Sequence, residues 1–322
     1  MKIIEEFSIK QRADIIYAKR TLQSHFCEEK FKDKSFFLLA FMELATNLIK
    51  HTQGGKVLLL ESGGYYMLGV ADYGDGIKSV AHSLQRGYTT AENSLGLGLY
   101  QLSINGLYDF EIFSTQKKNF HGTVILLKPK ELQEGIICFS KPYIDEDNNG
   151  DFYAKKGKFL LFGDAAGHNK KSHKTAKLIE KKFYSSQLSC IMVDRFFEQI
   201  HQELHEKKMR GAVFVVAEII KNHISLCGVG DLNVWIKTQN HLVFKTLKSG
   251  IIGEVFSSVE KFHYELKDGV FCIVTTDGMQ TQKMEYFKSE MMGNYSAYFM
   301  AFVMWHFATS QFDDSSIVVI KN

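Results

Sequence analysis

Proline, which interrupts helices and sheet interiors, occurs only twice in this chain of 322 residues, at Pro129 and Pro142. The two prolines lie 13 residues apart near the middle of the chain. A junction between domains is expected there, because the chain is long enough for two domains rather than one. We therefore predict a domain over residues 1–130, a linker over 131–145 and a second domain over 146–322.

The composition is that of a globular protein, with 45% apolar and 23% charged residues. The 39 Lys and Arg residues nearly balance the 36 Asp and Glu residues, and the net charge of +3 lacks the strong basic excess of a nucleic-acid-binding protein. The five cysteines are widely spaced and form no C-x-x-C pair. This usage indicates a reducing compartment and argues against disulfides or structural zinc.

The sequence contains no segment typical of a secreted or membrane protein. The N-terminus has no apolar h-region of a secretory signal. The longest apolar stretch, residues 295–308, has 14 residues, whereas a bilayer span needs about 20. We predict a buried helix at this stretch, a cytoplasmic protein and no membrane partner.

Hydrophobic patterns predict an α+β fold. In the first half they predict helices over 36–50 and 99–107, a hairpin around Gly63 and Gly64, and a second hairpin that ends near Lys128. In the second half they predict an amphipathic helix at 194–208 and strands at 158–164, 211–220, 223–237, 269–277 and 315–320.

Two segments of the first half carry polar groups that suit a nucleotide. Glu43, Asn47 and Lys50 share one face of a half-apolar helix, where such groups are costly to bury without partners. A magnesium–nucleotide complex would supply partners, Mg²⁺ for Asn47 and a phosphate for Lys50. Asp72 follows a strand and can accept a hydrogen bond from an exocyclic amine such as that of adenine. Taken singly, these segments also fit a polar helix edge and a plain turn.

Two glycine-containing segments could let a ligand approach the backbone closely. Gly74 and Gly76 allow close approach of a flat ligand. Gly96, Leu97 and Gly98 precede a helix, whose free N–H groups suit phosphates, although a lone G-x-G before a helix is weak evidence.

In this order and spacing, the segments ELATNLIKHT, ADYGDGI and NSLGLGLYQL resemble the N-box, the D-x-G-x-G box and the G-L-G-L box of the GHKL ATPase/kinase superfamily. The closer resemblance is to bacterial partner-switching serine kinases of the RsbT/RsbW type. RGYTT with NSLGLGL resembles their ATP lid, and HGTVILL resembles their closing strand. Histidine kinases share these boxes but need an upstream helical hairpin with a phospho-acceptor His, for which this chain leaves little room.

The GHKL resemblance implies an N-terminal Bergerat α/β sandwich that binds ATP and Mg²⁺. It implies Glu43 as the base for a protein hydroxyl, Asn47 as the magnesium ligand and Asp72 as the adenine ligand. Thr123 would support Asp72, and the backbone of residues 96–98 would hold a phosphate.

Acidic residues of the second half stand at strand ends or tight turns: Asp151, Asp164, Asp277, Asp313 and Asp314. If the strand ends converge, such like charges require a cation or one carboxyl must be protonated. Oxygen-only ligands suit Mg²⁺ or Mn²⁺, and two such ions would activate a water for phosphoester hydrolysis. Taken singly, each Asp also suits a turn.

The stretches around these acids resemble PPM-type metal-dependent serine/threonine phosphatases of the SpoIIE/RsbU/RsbX branch. The matching stretches are GDFY, GDAAGH, RGAVFVVAEI, CGVGDLNVWI, TTDGM and DDSSIVVI. The resemblance implies an α-β-β-α sandwich that binds two Mn²⁺ or Mg²⁺ ions. The ligands it implies are Asp151, Asp164, Asp277, Asp313 and the carbonyl of Ala165, and Asp314 either replaces or supports Asp313.

Two positions depart from the D-G-x-G-H-G pattern usual in that family. Ala165 and Asn169 replace glycines, and Ala tolerates a positive φ poorly. Ser316 replaces the usual Thr, which is a mild change. We expect an active phosphatase because all the acidic ligands remain.

Together the two resemblances predict a bifunctional partner-switching regulator. One half would phosphorylate Ser or Thr of a protein and the other would remove the phosphate, with a STAS-type anti-sigma antagonist as the implied partner. Two alternatives remain open. In one, the GHKL half is a regulatory ATP-binding module of a phosphatase. In the other, the chain is an anti-sigma factor that binds a sigma subunit or another switch protein and has a silent phosphatase half.

Two further segments have simpler interpretations. HQELH, residues 201–205, lacks the Glu placement of the H-E-x-x-H zinc motif and is interpreted as a helix face. The lysine-rich run at 170–182 is interpreted either as a solvated helix face or as a surface that steers an acidic or phosphorylated protein.

Overall fold

In the computed structural model the chain divides into two units, Met1–Gln133 and Glu134–Asn322. The structure describes residues 1–87, 98–118, 120–133, 135–142, 149–167, 170–188, 193–237, 242–265, 271–288, 295–310 and 313–321. No helix within these ranges is long and apolar enough to cross a membrane.

The first unit is built on one antiparallel sheet of five strands. The strands are β1 (Lys2–Ile9), β2 (Gly55–Ser62), β3 (Tyr65–Ala71), β4 (Tyr108–Lys117) and β5 (Phe120–Pro129), in the order β1-β2-β3-β5-β4. Both predicted hairpins, β2–β3 and β4–β5, are confirmed. Gly63 and Gly64 both have positive φ (56° and 81°), which is the conformation that a two-residue hairpin turn requires.

Helices of the first unit pack against this sheet. They are α1 (Arg12–Ser24), a 3₁₀ turn (His25–Cys27), α2 (Lys34–His51), α3 (Val80–Ser83) and α4 (Gly98–Ser103). The Asp33 carboxylate caps α2 by accepting from the Phe36 N–H at 2.9 Å. The predicted apolar stripe of α2 is buried in a core shared with α1 and the sheet: Phe37, Phe41, Leu44 and Leu48. Helix α4 is shorter than the helix predicted at 99–107.

The second unit contains two antiparallel sheets of five strands. One has the order β13-β10-β9-β8-β7 and consists of β7 (Asp151–Lys156), β8 (Phe159–Ala165), β9 (Ala212–Ile220), β10 (His223–Val229) and β13 (Glu260–Glu265). The other has the order β12-β11-β14-β15-β6 and consists of β6 (Ile136–Lys141), β11 (Asn233–Lys237), β12 (Leu242–Lys245), β14 (Phe271–Thr275) and β15 (Ser315–Lys321). Apolar side chains of both sheets form one buried cluster, including Phe162, Val215, Val234 and Val318.

Helices cover this pair of sheets. Helix α5 (Lys170–Ser185) and helix α6 (Val193–Glu206) share a buried cluster with β7, β8 and β9. Helix α8 (Ala297–Ala308), which follows α7 (Thr281–Met284) and a 3₁₀ turn (Glu285–Lys288), packs on the other sheet, where the rings of Trp305 and Phe139 lie 4.6 Å apart. All twelve residues of α8 are buried, as predicted for this apolar stretch. The second unit is therefore layered α-β-β-α.

Two sequence predictions are corrected here. The segment 131–145 is not a linker throughout, because β6 forms the edge of the second sheet by pairing with β15. The single strand predicted over 223–237 is two strands, β10 and β11, which belong to different sheets. A continuous apolar run does not reveal where the chain passes from one sheet to the next.

Candidate functional site

The five carboxylates predicted in the second half lie at neighbouring strand ends. Asp151 opens β7 directly opposite Asp164 of β8. Asp277 follows the end of β14, and Asp313 and Asp314 come just before β15, the partner strand of β14. A hydrogen bond from the Gly150 N–H to Asp314 Oδ2, 2.8 Å long, joins the two groups of residues. The two sheets thus bring acids from three separate chain segments to one place.

Burial, together with mutual repulsion, raises the pKa of three of these acids. Burial, together with the charges of Asp151, Asp277, Asp313 and Asp314, raises the pKa of Asp164 to about 9. Burial also raises the pKa of Asp151 to about 8, and neighbouring acids add to the shift. The pKa of Asp277, at the exposed rim, is raised too, by partial desolvation and by nearby acids. Buried like charges of this kind are relieved by a cation.

A threonine directly before Asp277 fixes the buried carboxylate of Asp151. Thr276 Oγ1 donates to Asp151 Oδ2 at 3.1 Å and accepts from the Ser316 N–H at 3.1 Å. Hydrogen bonds from Ser316 and Thr276 lower the pKa of Asp151 against the larger effect of burial. Thr276 was not predicted from the sequence, although a hydroxyl at the end of a buried strand and next to an acid was a visible signal.

The Ala165 position does not need a glycine. Ala165 lies in β8, pairs with Ala212 and donates its N–H to the Gly150 carbonyl at 3.2 Å. Among the non-glycine residues that the structure describes, only Lys208 and Lys221 have φ in the left-handed region. Alanine at this position is therefore free of backbone strain. Asn169, the other departure from the family pattern, lies outside the described residues.

The donor chemistry of the acidic cluster fits a hard divalent cation. Within the described ranges, no three His, Cys, Asp or Glu side chains are already arranged to hold one ion. Mg²⁺ keeps several of its waters, however, and one or two protein carboxylates are enough to bind it. The five candidate ligands are all carboxylates, and their charges raise the pKa values of Asp151 and Asp164. An all-oxygen set of this kind matches Mg²⁺ or Mn²⁺ rather than zinc.

A cleft of about 680 Å³ opens beside this cluster. Asp164, Asp277 and Asp313 line it together with Asp231 and the segment 249–251. Asp231 lies in the crossing between β10 and β11, and its charge contributes to the raised pKa of Asp277. Asp231 lies in the stretch CGVGDLNVWI but was not predicted as a site residue, because 223–237 was predicted to be one strand.

The first unit has its own cavity, of about 410 Å³. Six residues that were predicted from the sequence line it together: Glu43, Asn47, Asp72, Gly76, Gly98 and Thr123. Apolar side chains such as Val70 and Ile125 form another part of the wall. The cavity thus combines an apolar wall with a few polar groups, as small-molecule sites do.

Asp72 is buried and held by backbone groups. Its Oδ1 accepts from the Gly74 N–H at 2.7 Å and from the Thr123 N–H at 3.3 Å. Burial raises the pKa of Asp72, and these two hydrogen bonds partly oppose the shift. The Thr123 hydroxyl lies 2.8 Å from that of Ser114. Gly74 therefore supports Asp72 and does not itself line the cavity.

Glu43 and Asn47 lie where α2 meets the start of α4. Asn47 Nδ2 donates to Glu43 Oε1 at 3.3 Å. A Cβ at Gly98 would collide with the Glu43 carboxylate, so this close approach requires a glycine. Gly96 and Leu97, predicted to hold a phosphate, lie outside the described residues.

The structure does not bring Lys50 to the cavity with the other residues. Lys50 is exposed, and His51 lines the cavity instead. At 100° per residue, Asn47 and His51 turn to one side of Glu43 on the helix, whereas Lys50 turns to the other. The shared face inferred from the sequence was therefore displaced around the helix, toward Lys50 and away from His51.

No protein-family model matches this chain, and no curated protein sequence matches it. Solved structures are similar to it. A serine/threonine phosphatase from S. agalactiae has a TM-score of 0.50 and 12% identity over 59% of this chain and 99% of that one. PppA, a key regulatory component of the T6SS in Pseudomonas aeruginosa, has a TM-score of 0.50 and 11% identity over 58% and 96%. RsbX in complex with magnesium has a TM-score of 0.48 and 16% identity over 59% and 96%.

At these identities the likeness to the first two structures shows a common fold. These two structures cover 58% and 59% of this chain. The second unit, Glu134–Asn322, makes up the same share of the chain.

Proposed function

We propose that Glu134–Asn322 is a metal-dependent protein serine/threonine phosphatase. The observation that carries the proposal is the convergence of five carboxylates at one place, three of which, Asp164, Asp277 and Asp313, line a 680 Å³ cleft. The fold shared with the S. agalactiae serine/threonine phosphatase supports the same reaction class.

Asp151, Asp164, Asp277 and Asp313, with the carbonyl of Ala165, would hold two Mg²⁺ or Mn²⁺ ions. Asp314 is more buried than Asp313, and its side chain accepts a hydrogen bond from the Gly150 N–H. We therefore assign Asp313 as the ligand and Asp314 as its support. When bound, the ions would polarise the phosphate and activate a water. The chain's own part is to hold these carboxylates in place, and Thr276 does so for Asp151.

The test is phosphate release by the full chain, with Mn²⁺ added, from matched peptides that carry phosphoserine, phosphothreonine or phosphotyrosine. We expect release from the first two and its loss when Mn²⁺ is chelated. Release from phosphotyrosine alone, or an equal rate after chelation, would contradict the proposal.

For Met1–Gln133 we propose an ATP site that transfers a phosphoryl group to a protein Ser or Thr. The cavity that gathers Glu43, Asn47, Asp72 and Thr123 supports it. Glu43 would accept the proton of the protein hydroxyl, Asn47 would bind Mg²⁺, and Asp72 would accept a hydrogen bond from adenine. By family resemblance, the partner of both activities would be a STAS-type anti-sigma antagonist.

A Glu43→Gln variant separates this kinase from the two alternatives. Retained ATP binding with loss of phosphoryl transfer would support a kinase. A wild-type chain that binds ATP but never phosphorylates a candidate partner would support a regulatory module. A stable complex with a sigma subunit, without any hydrolysis of phosphopeptides, would support an anti-sigma factor.

A further inference from the structure

A tight turn forms part of the cleft wall beside the acidic cluster. The Ile251 N–H donates to the Val255 carbonyl at 2.7 Å, and the Val255 N–H donates to the Ile251 carbonyl at 2.9 Å. Gly250 and Ile251 line the cleft that also contains Asp164 and Asp277. The position of this turn, residues 251–255, therefore sets the width of the cleft on that side.

One side of the turn is fastened to β9. Ala212 and Ile252 exchange two backbone hydrogen bonds, 3.0 and 2.8 Å long, and the Ile252 side chain is fully buried. Because Ala212 pairs with Ala165 of β8, this side is tied to the strand that carries Asp164.

The other side of the turn is fastened to α6 by the two histidines of HQELH. The Gly253 N–H donates to His201 Nδ1 at 3.0 Å, and His205 Nδ1 lies 3.4 Å from the Gly253 carbonyl. Gly253 has a φ of 93°, and a Cβ there would lie 2.8 Å from Leu204 Cβ. Only glycine allows the turn to approach α6 so closely.

This hydrogen bond determines the tautomer of His201. A backbone N–H can only donate, so Nδ1 must present its lone pair, and the neutral ring carries its proton on Nε2. The ring also packs against Phe256, with centroids 5.4 Å apart. Nδ1 of His201 and Nδ1 of His205 therefore both contact the backbone of Gly253.

We propose that His201 is a positioning residue for the phosphatase cleft. By accepting from Gly253 it holds the turn against α6, and so holds Gly250 and Ile251 as a fixed wall for the substrate residues that flank the phosphorylated side chain. The catalytic part of this proposal rests on the proposed phosphatase function. The anchoring part does not depend on it.

The anchor is tested by amide hydrogen exchange of residues 250–256 in the full chain. In His201→Asn, Oδ1 takes the place of Nδ1 as acceptor, whereas His201→Ala has no acceptor. We expect wild type and His201→Asn to exchange slowly, and His201→Ala to exchange about fivefold to tenfold faster, the effect of one lost hydrogen bond. Equal protection of the segment in His201→Ala would overturn the anchor.

The consequence for the substrate is tested with a phosphoserine peptide and with a small aryl phosphate that cannot reach the wall. In His201→Ala we expect KM for the peptide to rise about fivefold to tenfold, with kcat for the aryl phosphate within about twofold of wild type. His201→Asn should restore the peptide KM. Equal losses on both substrates, or no rescue by Asn, would show a merely structural role.

The two failures are distinguishable. If the wild-type chain hydrolyses neither substrate, the proposed function fails, and the exchange experiment still decides whether His201 anchors the turn.

Discussion

Thr275 and Thr276 are neighbours at the end of β14, but only Thr276 serves the acidic cluster. Thr276 Oγ1 donates to Asp151, whereas Thr275 Oγ1 is buried with no hydrogen-bond partner in the parts of the chain that the structure describes. The bond favours the ionised form of Asp151, which a cation needs. We predict that Thr276→Val weakens Mn²⁺ binding about tenfold, as measured by calorimetry.

The control for that experiment is Thr275→Val, which makes the same change of shape at the next residue. We expect its Mn²⁺ affinity to stay within about twofold of wild type. Equal weakening by the two substitutions would mean that the Asp151 hydrogen bond has no role in binding the ion.

Metal binding should also release protons. Burial and neighbouring acids raise the pKa of Asp151 to about 8 and that of Asp164 to about 9, which favours the protonated carboxyls at pH 7 when no cation is bound. Because a cation binds the ionised forms, its affinity should rise with pH until it passes about 9. Calorimetry at pH 7 in buffers of different ionisation enthalpy should show up to two protons released per chain, and fewer in Asp164→Asn. A heat independent of buffer would contradict this.

Gly98 provides a test of the proposed ATP site in the first unit. A Cβ at Gly98 would displace the Glu43 carboxylate, whereas a Cβ at Gly106 would have no neighbour within 4 Å. We predict that Gly98→Ala weakens ATP binding about tenfold through this overpacking, and that Gly106→Ala leaves it unchanged. Equilibrium binding of a fluorescent ATP analogue measures both. Unchanged binding in Gly98→Ala would argue against a nucleotide beside Glu43.

At the scale of residues, sequence patterns predicted the acids and six residues of the first cavity, but not how they are supported. Asp72 and Glu43 were found because a charged group next to an apolar run is conspicuous. Thr276 and His51 were missed because their roles depend on which atom lies opposite them in space. Lys50 was included because helical spacing alone does not show how far round the helix a cavity extends.

At the scale of elements, the first turn of α5 contacts the residues that precede β7 and Asp151. His173 Nδ1 donates to the Asn149 carbonyl at 3.2 Å, and Asn149 Oδ1 accepts from the Asp151 N–H at 2.8 Å. Lys170 and Lys174 are exposed at this end of the helix. If the lysine-rich run steers an acidic or phosphorylated protein to the acidic cluster, we expect these two lysines to contribute most.

We predict that Lys170→Glu with Lys174→Glu lowers kcat/KM for an acidic phosphopeptide about threefold to tenfold, with a weaker dependence on salt. Lys181→Glu with Lys182→Glu, at the far end of the same helix, changes the net charge by the same amount. This double variant is the control and should have a smaller effect. Steady-state kinetics at low and high salt measures the difference. Equal effects at both ends would favour the solvated face.

The elements show where sequence patterns succeed and where they fail. Helices α2, α6 and α8 were predicted from apolar periodicity or from a long apolar run, because each buries its own stripe or its whole surface. Strand β6 was missed because it is a short edge strand beside Pro142, in a segment expected to be a linker. The division of 223–237 between two sheets is a long-range property, and no local pattern encodes it.

At the scale of the whole molecule, each unit has its own core and its own candidate site. If the first unit is a kinase and the second a phosphatase, opposed activities in one chain would only consume ATP unless something biases one of them. We therefore expect the nucleotide or the protein partner to set which activity dominates.

The most direct test is phosphate release by the full chain from a phosphorylated STAS-type protein in the presence of Mn²⁺. Wild type is compared with Asp277→Asn and with Asp194→Asn. Asp194 is a partly exposed acid that pairs with Lys261 and does not line the cleft. We predict release by wild type and Asp194→Asn, and a loss of about a hundredfold or more in Asp277→Asn. Release at the wild-type rate by Asp277→Asn, or none by a wild-type chain shown to bind Mn²⁺, would contradict the account.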